Sequence, residues 1–472
     1  MNTIHDELVA AVGPRHVLHG SAIGEDYTHD ESVSRHAARP AFVVKPVTTG
    51  EVAQVVAAAV RHSVPLTARG SGTGLSGACV PSAGGVLLSF ERMNHIVEID
   101  LANHVAVVEP GVTLDQLDHA LAEVGLVYPV FPGENSASLG GNVATNAGGM
   151  RAVKYGVTRH HVLGLTAVLG TGEIVETGGK FVKATTGYDL TQLIIGSEGT
   201  LAVVTQAVLK LHPRLSHTST LLVPFATLEQ VTAAVPEVVA SGVGPLIVEY
   251  IDMLTMAAMV GDSGLELGVP AQITETALAY LVVVLEDRRA DRLDEDIEEM
   301  AALLGDLGAL DVYVLPTSAG TQLIEARERA LFAAKARGTN DIIDVVVPRG
   351  SIAPYMAKVA ELAARSGSFV AGCGHAGDGN VHMSVFQPDP AVRHTLMRDI
   401  FAAGMELGGA ISAEHGIGVE KKAYLQELEN PAKLALMRRI KQAFDPAGIL
   451  NPGVIFDPEH DSNPTRSPEA TE

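Results

Sequence analysis

Along residues 41–213, short apolar runs alternate with amphipathic stretches. AFVVKP (41–46), PLTARG (65–70), VLLSF (86–90), IVEID (96–100) and HVAVVEPG (104–111) are short and rich in β-branched residues, and they predict strands. Residues 48–64 repeat apolar positions at helical spacing, with Thr49 as a possible cap. Residues 113–126 do the same behind Thr113, with acidic residues in the first turn, so both stretches predict helices. VLGLTAVLGTGEIVETGG (162–179) predicts two strands about a Gly-Thr-Gly turn. Residues 201–213 predict one more strand, closed by Pro213.

A polar connection near 214–220 precedes a different pattern. Strands are predicted at 246–252, 280–287, 311–316, 342–348 and 368–374. Helices are predicted at 289–304, 321–335, 355–365 and 391–409, as one layer on a sheet. A helix at 430–445 leads into ILNPGVIF (449–456). The Pro- and charge-rich end, 457–472, is expected to be disordered. The class is α+β. The expected division is 1–214 (core about 40–214), 215–425, a returning segment 426–456, and the tail.

The 472 residues are 47% apolar, which is ample for a core, with a formal charge of −22. That charge argues against a nucleic-acid or anionic-lipid surface. No apolar run reaches the ~18 residues of a membrane span, and MNTIHDELVA lacks the features of a signal peptide. Two distant cysteines, Cys79 and Cys373, are no disulfide framework, and a cytoplasmic location is expected.

The 48 glycines cluster, and chemistry clusters with them. RGSGTGLSGACVP (69–81) contains a GxGxxG match at Gly72, Gly74 and Gly77. A Rossmann site needs a helix there, but Pro81, Gly84 and Gly85 forbid one, so a nest of backbone N–H groups for an anion is expected instead. PGENSASLGGNVATNAGGMRAVKYG (132–156) can wrap an extended ligand, and GSEG (196–199) turns into a buried strand. Three such loops suit a large diphosphate cofactor. In CGHAGDGNVHMSVF (373–386), Asp378-Gly379 signals a hairpin that sets His375 and His382 across from each other, within reach of one ion. SAEHGIG (412–418) adds Glu414 and His415. Two imidazoles and a carboxylate can hold a divalent ion, Zn²⁺ first with Mn²⁺ or Fe²⁺ as alternatives, that an α-hydroxy acid could chelate. His415 is then the candidate base.

The strings RGSGTGLSG, SLGGNVATNAGG, GSEGTLAVVTQAVLKL, GHAGDGNVH, SAEHGIG and ILNPG together resemble the FAD-linked 2-hydroxyacid dehydrogenases. That family includes glycolate oxidase flavoprotein subunits, D-lactate dehydrogenases and D-2-hydroxyglutarate dehydrogenases, and the resemblance spans about 40–456. It implies a two-subdomain FAD-binding domain of the vanillyl-alcohol oxidase type, with an α/β cap whose helices lie on an antiparallel sheet. It implies that Arg69, Gly70, Ser71, Gly72, Thr73, Gly74 and Leu75 meet the pyrophosphate. Pro132, Gly133, Ser138, Gly141, Asn142, Thr145 and Gly149 would follow the cofactor. Glu198, Gly199 and Val204 would stand at one of its ends, and Asn451 would return to the flavin. It implies His375, His382 and Glu414 as metal ligands, His415 as base, and Arg327 for the substrate carboxylate, with Arg329 and Arg349 as alternatives. The FAD is expected to be non-covalent, because neither the histidine nor the cysteine that carries covalent flavin in relatives stands in these loops. The usual Trp before the arginine is missing. Ile342 stands where the 2-hydroxyglutarate branch has lysine, which favours a small substrate such as D-lactate or glycolate. The partners implied are that acid and an electron acceptor, a protein or quinone. A homodimer or an iron–sulfur partner subunit is also compatible. A D-2-hydroxyglutarate dehydrogenase or a non-catalytic FAD-binding subunit is the alternative.

Overall fold

The structure is a computed structural model that describes residues 3–34 and 36–457; the remainder of the tail expected to be disordered, 458–472, lies outside the described residues. Phe42–Val44, Val86–Ser89 and Leu66–Arg69 run parallel in that spatial order, with Val17–His19 antiparallel on the outer edge. The crossover between the first and third of these is the helix Thr49–His62. Its cap is Thr48 rather than Thr49, the side chain accepting from the Glu51 amide, and Val52, Val55, Val56 and Ala59 are buried in the core it shares with that sheet. A second sheet is wholly antiparallel, in the order Ile96–Asp100, Val105–Val108, Ala202–Lys210, Val162–Leu169 and Ile174–Gly178. Leu114, Leu117 and Leu121 of the helix Leu114–Ala122 pack in its core.

Residues past 213, expected as a polar connection, instead begin a nine-residue strand, His217–Phe225. Its first residues are exposed, which hid it among polar neighbours. It pairs along its whole length with Ala279–Asp287. Seven antiparallel strands make this sheet, in the order Tyr313–Leu315, His217–Phe225, Ala279–Asp287, Ile247–Asp252, Phe369–Gly374, Asn380–Phe386 and Asp341–Val346.

Successive strand residues point to opposite faces, and that arithmetic places the chemistry. Val248, Tyr250, Ile343, Val345, Val381 and Met383 face a layer built from Leu228–Ala240, Ala290–Asp306, Ile352–Ser366 and Pro390–Glu406. Glu249, Asp344 and His382 therefore point the other way. That second face is not bare: Met253–Ser263 and Thr317–Glu328 cover the part around Ile251 and Val282 as a smaller second layer. The helix expected at 321–335 is two, Thr317–Glu328 and Ala330–Ala336, parted at Arg329. After the helix Pro431–Phe444 the chain returns to the first sheet. The Leu66 amide donates to the Ile449 carbonyl at 2.8 Å, and the Asn451 amide donates to the Leu66 carbonyl at 2.8 Å.

Candidate active site

The glycine loops and the open part of the seven-stranded sheet enclose one cleft of about 560 Å³. All of residues 69–75 line it, with Pro132, Gly133, Ser138, Gly141, Asn142, Thr145, Gly149, Glu198, Gly199 and Val204. Ser138 joins the first two loops, its Oγ accepting from the amides of Ser71 (3.3 Å) and Gly141 (3.4 Å). Gly70 has to lack a side chain there, because a Cβ would stand 1.8 Å from that oxygen. Asn451 is not on the cleft wall. It lies behind it, donating to the carbonyls of Ala78 and Glu198, both at 2.7 Å, and accepting from Thr67.

Arg327, His375, His382, Glu414 and His415 line the same cleft. The expected hairpin forms, from Phe369–Gly374 and Asn380–Phe386, but a short 3-10 turn, Ala376–Asp378, connects its strands, and His382 pairs across the ladder with Cys373 rather than His375. The two imidazoles still converge, their ring centres 4.8 Å apart, because His375 stands just beyond the ladder's end. Nε2 of His375 and of His382 lie 3.4 and 3.2 Å from the same Glu414 Oε1. His415 Nε2 is 3.9 Å from that oxygen. Arg327, at the end of a helix, is buried, whereas Arg329 and Arg349 are exposed and absent from the cleft wall.

Residues 40–178 match the model for an FAD binding domain, and residues 214–455 match the model for the C-terminal domain of FAD linked oxidases. The chain belongs to the FAD-linked oxidase family. It is 59% identical to an uncharacterized FAD-linked oxidoreductase of Mycobacterium tuberculosis, over 94% of this chain and 97% of that protein. It is 39% identical to a protein named D-lactate dehydrogenase of Anaerostipes hadrus, over 94% and 95% of the two chains. A solved p-cresol methylhydroxylase shares the fold at a TM-score of 0.79 and 19% identity, over 96% of each chain. The protein is thus an FAD-dependent oxidoreductase of the D-lactate, glycolate and D-2-hydroxyglutarate dehydrogenase family.

The cleft of this FAD-linked oxidase suits the cofactor. Among the described residues the amides of Gly72, Thr73 and Leu75 have no hydrogen-bond partner, and all three residues line the cleft, as a nest for a diphosphate requires. Arg69 offers backbone and not charge: its guanidinium is turned back onto the carbonyls of Asp26 (2.6 Å) and His29 (2.8 Å). The histidine cluster suits a divalent ion. One ligand atom from each of His375, His382 and Glu414 lies within 4.8 Å of the others, and His382 Nε2 is buried without an aligned hydrogen bond.

Two carboxylates that the sequence reading passed over organise this cluster. Glu249, fully buried, accepts from His375 Nδ1 and from Arg327 Nε at 2.8 Å. Asp344, also fully buried, holds the loop that carries Glu414 and His415. Its Oδ2 accepts from Ser412 Oγ (2.7 Å) and from the amides of Ala413 (3.2 Å), Glu414 (3.2 Å) and His415 (2.9 Å). Lys421 lies 3.6 Å away. Burial opposes ionisation of Asp344, but the nearby His415 and Lys421 outweigh it and hold the carboxyl well below its usual range. Burial also lowers His415 to about 4, so its imidazole is neutral. At His375 burial acts the same way but loses to Glu249 and Glu414, which raise it to about 10. The available signal for both carboxylates was an acid flanked on both sides by apolar residues within a strand, Glu249 in LIVEYID and Asp344 in IIDVVVP, since a buried charge needs a partner.

Proposed function

We propose that this protein oxidises a small D-2-hydroxy acid, D-lactate or glycolate, to the 2-oxo acid, with non-covalently bound FAD and a divalent metal, Zn²⁺ first. The observation that carries the reading is the meeting of a neutral histidine, a three-ligand cluster and a buried arginine on one wall of the cleft. Arg327 has an Nη2 without a partner among the described residues, and that group receives the substrate carboxylate. His415 takes the hydroxyl proton at Nε2, and Asp344, 3.7 Å from Nδ1, stabilises the resulting imidazolium. His375, His382 and Glu414 hold the metal. FAD on the glycine loops supplies the hydride acceptor, and a divalent ion supplies a Lewis acid that lowers the hydroxyl pKa. Ile342 on the cleft wall offers no charge to a second carboxylate, which favours a small acid over 2-hydroxyglutarate. An electron acceptor, protein or quinone, completes the cycle.

An anaerobic absorbance scan tests this. The flavin bands should bleach on addition of D-lactate or glycolate. Bleaching only by 2-hydroxyglutarate would move the substrate to the larger acid. Bands that no 2-hydroxy acid bleaches would refute the reading.

A further inference from the structure

The seven-stranded sheet contains a carboxylate with two distinct duties on its two oxygens. Glu249 has no exposed surface and sits in the strand Ile247–Asp252, where both neighbours, Val248 and Tyr250, point into the opposite core. Its Oε1 accepts from His375 Nδ1, and its Oε2 accepts from Arg327 Nε. Each oxygen fixes one property of its donor. A carboxylate at Nδ1 keeps a proton on that nitrogen, so Nε2, which faces Glu414 at 3.4 Å, is the nitrogen that yields its proton to an incoming metal. A carboxylate at Nε engages the inner edge of the guanidinium and leaves Arg327 Nη2 without a partner among the described residues.

We infer that Glu249 is a positioning residue that sets the metal-binding tautomer of His375 and the orientation of Arg327 together, coupling metal affinity to recognition of the substrate carboxylate. The inference rests on the metal and substrate roles proposed above for His375 and Arg327. Here the carboxylate bridges the end of a strand and the end of a helix, Thr317–Glu328, and both donors open onto the same cleft.

Glu249→Gln separates these duties while preserving shape. Glutamine carries a single acceptor oxygen, so only one of the two positions, Oε1 or Oε2, keeps an acceptor. With the oxygen on Arg327, the amide NH₂ faces His375 and drives it to the other tautomer, whose protonated Nε2 cannot ligate. With the oxygen on His375, the NH₂ opposes the Arg327 Nε–H. The full-length, FAD-loaded protein is stripped of metal, and Zn²⁺ and Mn²⁺ affinities are measured by competition with a chromogenic chelator. FAD content, melting temperature and the D-lactate kinetics are recorded beside them. The expected result for E249Q is a metal affinity at least about tenfold weaker or a KM at least about tenfold higher, with FAD content unchanged. Metal affinity and KM both equal to wild type would overturn the inference alone. Wild-type protein that takes up neither ion would overturn the metal reading and this inference with it. Wild-type protein gives a second measurement should E249Q fail to fold. In ¹⁵N-histidine spectra of the Zn²⁺-loaded protein, with His375 assigned by comparison with His375→Gln, the ring must carry its one proton at Nδ1 and leave Nε2 unprotonated. A His375 protonated at Nε2 only would overturn the inference.

Discussion

A general base must be neutral before it can take a proton, and burial secures this at His415, the proposed base, whose pKa it brings to about 4. The imidazole is placed by its backbone and not by its ring: the His415 amide donates to Asp344 at 2.9 Å, and the His415 carbonyl accepts from Ser76 Oγ at 3.0 Å. His415→Ala should therefore leave the loop in place and FAD bound, and lower turnover by at least ~10². Steady-state kinetics beside a flavin-content assay decide it, and wild-type turnover would remove His415 from the base role. His375, His382, Glu414 and His415 were legible in the sequence because they stand in two glycine-rich strings, GHAGDGNVH and SAEHGIG. Glu249 and Asp344 were not, since a strand residue shows its importance only when its partners, distant in sequence, are known. Arg327 stands between these cases. Its helix reads as a charged, solvated face, and only the tertiary fold buries it against Glu249.

Strand and helix types in the first half followed from local patterns, because each short apolar run is bounded by Pro, Gly or charge. Errors gathered where burial is uneven along an element. His217–Phe225 is exposed at one end, and the short helix Leu139–Thr145 is hidden inside a glycine-rich string. That string matters for its spacing against the cap. A Cβ on Gly148 would lie 2.7 Å from Glu414 Oε2 and 3.3 Å from Val157, so a side chain there has to displace the carboxylate. Gly148→Ala should weaken metal retention about tenfold and lower kcat/KM, while the flavin spectrum persists. Metal content after dialysis, measured with FAD content, tests it. Wild-type metal retention would show that Glu414 tolerates the shift.

At the scale of the whole molecule, stability and activity depend on contacts between parts far apart in sequence. His161 is buried between Tyr128 and His212, its Nε2 bonded to the Tyr155 carbonyl at 2.9 Å. Burial lowers its pKa from 6.5 to about 4. The folded state thus disfavours the proton. The associated stability is present above pH 6.5 and is lost as pH falls toward 4, by up to about 3 kcal/mol. Melting temperature should fall over that range, and His161→Gln, which keeps a neutral donor, should lose less. An equal fall in both would place the titration elsewhere.

The loop that carries Glu414 and His415 is gripped from both sides of the cleft, by Asp344 of the large sheet and by Glu198 of the glycine-loop domain. Glu198 accepts from the amides of Ile417 and Gly418, both at 2.8 Å, in a left-handed backbone conformation (φ 52°) that a non-glycine residue holds only under tertiary constraint. The Val419 amide adds a bond to the Ser76 carbonyl at 2.9 Å. The wall that lines the cleft proposed for FAD therefore also positions His415, the proposed base. Glu198→Ala leaves two amides without their acceptor, each costing ~1–3 kcal/mol if they stay buried. The loop should loosen, and two properties should fail together: FAD affinity, because residue 198 is on the cleft wall, and turnover at saturating FAD, because His415 is no longer held. A reduced turnover that excess FAD does not restore is the signature of this coupling. Full recovery with added FAD would confine Glu198 to the cofactor and leave Asp344 as sufficient support for the base.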